Sequence, residues 1–520
     1  MDAIILCDTN FLGRVRPLGA YRIADHLRQN GYEAIVVDFL SDLFESKQLF
    51  SILRTLITKE TKFVGYSSSL FHIRQVGFKP TRETDEQNDN DEDLPFLTVT
   101  RNKFKALNTF IKMLNPNTKI VFGGANSRDL VKYNLLEKDN LGVEYAFHGY
   151  SETMVIDFVE SIKDGRKPQC SKEYNGLAEI EFASKGEGFD FYCSNHRWHP
   201  SDVIQPGESL TLETSRGCIF KCKFCAYPLI GKDPRDDSYI RTADVLYDEL
   251  KKNYEEYGTT KYLVIDDTFN ERIEKMERLC RVRDRLGIDL LFAGYIRIDL
   301  LARKQQEQLP LLKDMNFHGM FVGIETLNHK AAQIIGKGMH PDEVKEMLYK
   351  IKDYYNNNVH IGAGFIAGLP KESPESFLKN MEWVLRFDTP IDHMQISTLG
   401  LHTTSHTQSE FSANPSKYGY ITKTEGLKTY WKNEFWNEKQ AREITDRLVF
   451  EAWKSGRNKP GSFASLGMTA LGYDYYDVAM KSANKLDMVE FNKRDKKFKQ
   501  QYASNLISYI ENDRNNHAQT

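Results

Sequence analysis

The chain has 520 residues, 40% apolar and 28% charged, with a formal net charge of -3. That length exceeds what one hydrophobic core usually serves, so two or three domains are expected, and the near-neutral balance offers no global field for nucleic acid or an anionic membrane. Seven cysteines are an odd number for a disulfide framework, no apolar run approaches the roughly 18 residues of a spanning helix, and no basic leader follows Met1, so a cytoplasmic chain with no membrane partner is expected.

The first block, residues 1–163, opens with the apolar run AIILCD (3–8). Ala20, Ile23, Ala24 and Leu27 then recur at helical spacing before Gly31, and the apolar run Ala34 to Val37 follows. This is a βαβ unit. FVGYSSSL, KIVFGG and VEYAFHG add strands that end in small residues. Continuous apolar strands separated by helices predict a doubly wound parallel sheet with its ligand at the carboxyl ends. The run TRETDEQNDNDEDL (81–94) is too polar to bury and reads as a solvated excursion.

Residues 164–207 read as a polar linker. In the second block, residues 208–400, SLTLETS, KYLVIDDT, LLFAGYIRI, GMFVGIET, HIGAGFIAG and HMQISTL alternate with helical patterns. Thr242 is placed to cap a helix burying Leu246, Leu250, Tyr254 and Tyr257 and ending at Gly258, and Ser373 with Pro374 marks another helix start. Six such units predict a partial TIM-like barrel with its chemistry at the strand ends. The third block, residues 401–520, loses the alternation and reads as mainly helical, for example through NEKQAREITDRLVFEAWKSG.

Directly after the first barrel strand stand Cys218, Cys222 and Cys225, spaced C-x3-C-x2-C. A structural zinc site needs four ligands, usually from two separated pairs, and there is no second pair. Three thiolates on one tight loop suit a [4Fe-4S] cluster with one open iron. With the flanking LETSRGC, this motif resembles the radical S-adenosylmethionine (SAM) superfamily. The resemblance implies a cluster on these cysteines, SAM as cofactor and a 5′-deoxyadenosyl radical. It also implies roles for matching positions: Phe224 near the adenine, and Glu325, Gly364, Ile366, Gly368 and Glu372 lining the adenosyl site. Arg297 is implied as a polar contact to SAM. Asp266 and Asp267 stand where many members carry Gly-Gly-Glu for the methionine amine, which leaves the amine partner open.

The first block resembles cobalamin-binding domains. DTNFLG supplies Asp8, Asn10 and Gly13, SSL supplies Ser68 and Leu70, and FGG supplies Gly123 and Gly124, each after a strand. Asn10 stands where a histidine would ligate cobalt, so any bound corrinoid is expected to lack that ligand. HGYSE (148–152) sits where related enzymes often carry a Gly-Glu-Gly-Glu run. The alternative for this block is the same fold without a corrinoid.

The expectation is a cobalamin-dependent radical SAM transferase that methylates a carbon of a small-molecule or peptide substrate, served by a reductase or flavodoxin-type electron donor and with no nucleic-acid partner. Its rivals are cobalamin-independent rearrangement, cyclisation or oxidation, and a non-catalytic iron-sulfur sensor. A methylthiotransferase would need a second cluster, for which only Cys7, Cys170 and Cys193 precede the barrel. Other features have plainer readings: Cys193, His196 and His199 as connector residues rather than a metal site, Cys7 and Cys280 as core, and NKRDKKFKQQ as a solvated helix face. Trp431, Trp436, Tyr473, Tyr475 and Tyr476 fit either a substrate pocket or core packing.

Overall fold

The computed structural model describes the chain except for residues 10–14, 68–70, 73–95, 98–100, 125–126, 133–135, 137–140, 182–188, 228–230, 402–407, 426–427, 455–461, 481–486 and 520. The polar excursion at 81–94 lies outside the described residues.

The first sheet is built from β1 (Ala3–Leu6), β2 (Ala34–Val37), β3 (Phe63–Ser67), β4 (Lys119–Gly123), β5 (Tyr145–His148), β6 (Lys172–Tyr174) and β7 (Leu177–Glu181), in the order β2-β1-β3-β4-β5-β7-β6. All pairs are parallel except β6 with β7. The apolar strands at the centre are buried on both faces, as their unbroken runs predict. The chain leaves β1 toward β2 and returns on the other side as β3, so a crevice opens at the carboxyl ends of β1 and β3. The loops carrying the cobalamin-like motifs start there.

The sheet does not stop at residue 163. β6 and β7 come from the stretch read as a linker, and Trp198, Ser201, Asp202 and Val203 beyond them are buried. Alternation in LAEIE is too short to stand out from a polar stretch, and a parallel partner, β5, is what makes it a strand.

The second sheet is β8 (Leu210–Leu212), β9 (Lys261–Val264), β10 (Leu291–Ile296), β11 (Phe317–Glu325), β12 (His360–Ala367) and β13 (His393–Thr398), all parallel and in sequence order. The six expected units are present. Thr242 caps the helix Ala243–Tyr257 by accepting from the Val245 N–H, and Gly258 ends it at φ 66°. Leu246 and Leu250 are buried, but Tyr254 is 43% exposed. The inward stripe leans instead toward Asn253 and Glu249, whose carboxylate pairs with the buried Arg241.

The third block is not a separate helical body. The helix Met488–Gln519 lies on the first sheet, where Tyr502 Oη accepts from the Asp38 N–H at 2.8 Å and Lys499 pairs with Asp42 at 2.9 Å. The segment around Leu466 and Tyr475 plugs the amino-terminal end of the barrel: Ser209 donates to the Leu466 carbonyl at 2.8 Å, and Leu466 and Tyr475 pack with Leu263 and Ala293. A hairpin of β14 (Ile421–Glu425) and β15 (Lys428–Lys432) reaches the carboxyl end. The two sheets are locked by a buried group: Arg16 donates to Glu208 at 2.6 and 3.1 Å and to Tyr21 Oη at 2.8 Å, and Tyr21 donates to Asp38.

Candidate functional site

The three cysteines sit on the loop that leaves β8. Its base is held from the neighbouring strand: Asp266, just after β9, accepts from the Thr214 and Ser215 N–H groups at 2.7 and 3.0 Å, from both hydroxyls, and from Lys275 Nζ at 2.9 Å. Lys275 also donates to Ser215 Oγ at 2.7 Å and to the Thr268 carbonyl at 2.9 Å. Further along, the Ile219 N–H donates to Glu271 at 2.9 Å, and the Gly231 and Lys232 N–H groups close the loop onto the Phe220 and Cys218 carbonyls at 3.0 Å. This anchoring is local, dense and buried, so the loop is preorganised.

Cys218 is buried and Cys222 and Cys225 are partly so. Burial pushes the thiols of Cys218 and Cys225 up to about 11, and the neighbouring cysteines add to the effect at Cys225, which places the three sulfurs near one another. Thiols this reluctant to ionise become thiolates only beside a strong cation. Among the described residues no three His, Cys, Asp or Glu side chains close on a single point. Three thiols on one anchored loop suit a cube, whose ligands bind separate irons.

Around this loop the strand ends bring some expected residues together and divert others. Asp266 is diverted, its carboxylate being occupied by the loop base and Lys275. Asp267 is left: among the described residues no hydrogen bond or ion pair reaches its carboxyl, which burial and the Asp266 charge push up to about 6. Glu325 ends β11 at φ 68° with its carboxylate 3.6 Å from Lys337 Nζ. Gly364 on β12 shares that space, since a Cβ there would lie 3.9 Å from Glu325 Oε2 and 3.3 Å from the Phe321 ring. Phe224 and Ile366 are partly buried against the main core.

Gly368 and Glu372 are held by the third block. At φ +99° Gly368 occupies the left-handed region, and a Cβ there would come within 2.2 Å of the Trp431 ring. Its carbonyl accepts from Tyr420 Oη at 2.9 Å and Asn433 Nδ2 at 3.3 Å. Trp436 Nε1 donates to the Glu372 carbonyl at 2.6 Å, and Trp431 Nε1 to that of Leu399 at 2.9 Å. The Glu372 side chain is buried, accepts from Thr326 at 2.8 Å and titrates up at about 7 because of burial. Trp431 and Trp436 thus brace the loop after β12 rather than line a pocket. The sequence signal was only their aromatic character.

In the first sheet Asp8 is fully buried and accepts from Ser41 Oγ at 2.5 Å, while Gly123 ends β4 and Gly124 follows at φ +112°. Asn10, Gly13, Ser68 and Leu70 lie outside the described residues. His148, at the end of β5, is fixed by Ser127 at 2.8 Å and Glu179 at 2.9 Å. Just beyond it the two domains touch. Arg216, two residues before Cys218, donates to Glu152 at 2.5 Å and Glu213 at 2.7 Å, with its guanidinium 4.3 Å from the Tyr150 ring centroid. Arg22 of the first domain pairs with the same Glu213 at 3.0 Å. The carboxyl end of β5 therefore meets the cluster loop itself. LETSRGC and HGYSE lie far apart along the chain, and neither carries a sequence signal that they meet. His196 packs on Trp198 and His199 bonds Ser201.

Comparison with known proteins agrees with this layout. The Radical SAM superfamily matches residues 212–384. An uncharacterized methyltransferase of Pyrococcus horikoshii is 27% identical over 326 residues, 59% of this chain and 66% of that protein. The ribosomal protein uS12 methylthiotransferase RimO of Bdellovibrio bacteriovorus is 26% identical over 245 residues, 44% of this chain and 52% of its own length. The chain thus spans less than two thirds of the length of either relative. Among solved structures, the radical S-adenosylmethionine methyltransferase TsrM of Kitasatospora setae, with cobalamin and a [4Fe-4S] cluster bound, superposes with a TM-score of 0.60 at 15% identity, over 97% of this chain and all of that one. Residues 212–384 therefore match the Radical SAM superfamily, and over nearly its whole length the chain shares the fold of TsrM.

Proposed function

We propose that this enzyme is cobalamin-dependent and methylates a carbon of a small-molecule or peptide substrate held between its two domains. The observation that carries the reading is the meeting of the two sheets at their carboxyl ends through Arg216, Glu152 and Tyr150. Parallel sheets bind ligands at those ends, so a cofactor on each faces a shared space. When bound, the cluster and SAM supply a 5′-deoxyadenosyl radical, and cobalamin supplies a methyl carrier.

The protein's own part is placement. Cys218, Cys222 and Cys225 hold the cluster. Asp267 offers the methionine ammonium a carboxylate with no ion-pair partner among the described residues, while Glu325 and Gly364 shape the adenosyl site and Trp431 and Trp436 fix the loop through Gly368 and Glu372. The crevice at the ends of β1, β3 and β4 takes the corrinoid, with Asn10 leaving the cobalt without a histidine from that loop. A separate protein of the reductase or flavodoxin type supplies the electron. Among the described residues no helix is long and apolar enough to cross a membrane.

The methyl-transfer reading has a stoichiometric signature. One SAM is consumed as radical source and a second recharges the methyl carrier, so with the true substrate 5′-deoxyadenosine and S-adenosylhomocysteine should form in about equal amounts per methylated product. Chromatography of anaerobic turnover mixtures measures all three. Substrate conversion with 5′-deoxyadenosine and no S-adenosylhomocysteine would instead establish rearrangement, cyclisation or oxidation. A methylthiotransferase is disfavoured because a second cluster would need three more cysteines before the barrel, where only Cys7, Cys170 and Cys193 stand and Cys7 is buried in the first sheet.

A further inference from the structure

Arg297 follows β10 and was expected to touch SAM, but its geometry points at the cluster ligand. Its main chain is clamped in both directions by one side chain: the Arg297 N–H donates to Asn270 Oδ1 at 2.8 Å and its carbonyl accepts from Asn270 Nδ2 at 3.0 Å. Asn270 is itself held by Gln308 at 3.0 Å. The guanidinium is 3.8 Å from the Phe220 ring centroid, a stacking distance. Asp299 takes Nε at 2.7 Å and Nη2 at 3.1 Å, and the Gly336 carbonyl takes Nη2 again at 2.7 Å. The remaining nitrogen, Nη1, donates to Cys222 Sγ at 3.2 Å. Of the five N–H donors of an arginine, four are therefore committed within the protein, and the side chain is buried.

We infer that Arg297 tunes the reduction potential of the cluster through its hydrogen bond to Cys222. This rests on the reading of Cys218, Cys222 and Cys225 as cluster ligands. Hydrogen bonds to ligating sulfurs, and positive charge beside them, stabilise the more electron-rich reduced state and raise the potential. Asp299 offsets much of the net charge, so the directed N–H at the sulfur carries the effect. The double clamp by Asn270 and the fork to Asp299 fix that N–H in place before any cofactor binds, so no reorganisation is needed on reduction. Arg297 acts through Cys222 and is a positioning residue for the redox step. The consequence is a trade-off: the enzyme accepts electrons from a milder donor, and its reduced cluster is correspondingly less reducing toward SAM.

The test compares wild type with Arg297→Met and Arg297→Lys after anaerobic reconstitution with iron and sulfide. Iron content, the midpoint potential of the cluster without SAM, followed by electron paramagnetic resonance, and SAM affinity are each measured. Expected is wild-type iron content, a SAM-free midpoint more negative in Arg297→Met than in Arg297→Lys and in both below wild type, and SAM affinity within about twofold. A potential equal to wild type without SAM, together with SAM binding weakened about tenfold or more, would overturn the inference and restore the direct contact to SAM. Loss of iron in both variants would also overturn it, making Arg297 a structural support of the loop. A wild-type chain that takes up no iron would instead refute the cluster reading, and this inference with it.

Discussion

Asp266→Ala should destabilise the chain by about 3–5 kcal/mol, the usual cost of leaving a buried charge without its partner, and should strip the protein of most of its iron. Lys275 is fully buried, and without Asp266 its one remaining carboxylate partner among the described residues is Glu271 at 3.4 Å. The N–H groups of Thr214 and Ser215 lose their acceptor in the same change. Both effects fall on the base of the loop that carries the cysteines. The adjacent Asp267→Ala should behave in the opposite way, because among the described residues its carboxyl has no hydrogen bond or ion pair to lose, and it is costly to bury ionised. Stability and iron content should stay at wild type, while SAM binding weakens about tenfold or more, the loss of one charge-assisted contact. Urea midpoints, iron analysis and equilibrium dialysis of SAM separate the two. Wild-type stability and full iron in Asp266→Ala would contradict the assignment of Asp266 to the loop base.

Alanine at Cys218, Cys222 or Cys225 should abolish the iron-sulfur absorbance and reductive SAM cleavage, with residual iron in the triple variant at background. Each position removes one of the three protein ligands, and a cube held by two has two irons exposed to solvent. Cys7→Ala and Cys280→Ala are the controls. Cys7 is sealed in the first sheet beside Asp38, and Cys280 lies on the helix Ile273–Leu286 with its Sγ donating to the Leu311 carbonyl at 3.5 Å. Both should keep full absorbance. Retention of iron in the triple variant would remove the basis of the site.

The strands were legible because each is a short apolar run closed by small residues, and burial on both faces leaves such runs few alternatives. The cluster loop was legible because three cysteines at that spacing have few other uses. What escaped the sequence is what depends on distance in space. Nothing in VIDDTFN says that Asp266 turns back to Thr214 and Ser215 while Asp267 stays open, since both are acids at the same strand end. Arg297 read as a cofactor contact because its Cys222 partner lies far along the chain. The tryptophans of the third block read equally as pocket or core, and their N–H bonds to the Glu372 and Leu399 carbonyls appear only once the hairpin is placed. The linker reading at 164–207 failed because β6 and β7 are strands only by virtue of β5 beside them.

The central claim is that one chain carries both the cluster and a corrinoid, and cofactor retention tests it most directly. The protein is reconstituted anaerobically with iron, sulfide and hydroxocobalamin, desalted, and analysed for iron and cobalt. The account predicts about four irons and about one cobalt per chain, with a Co(II) electron paramagnetic resonance spectrum free of the nitrogen splitting a histidine ligand from the Asn10 loop would give. A chain that keeps its four irons but releases all corrinoid would contradict it.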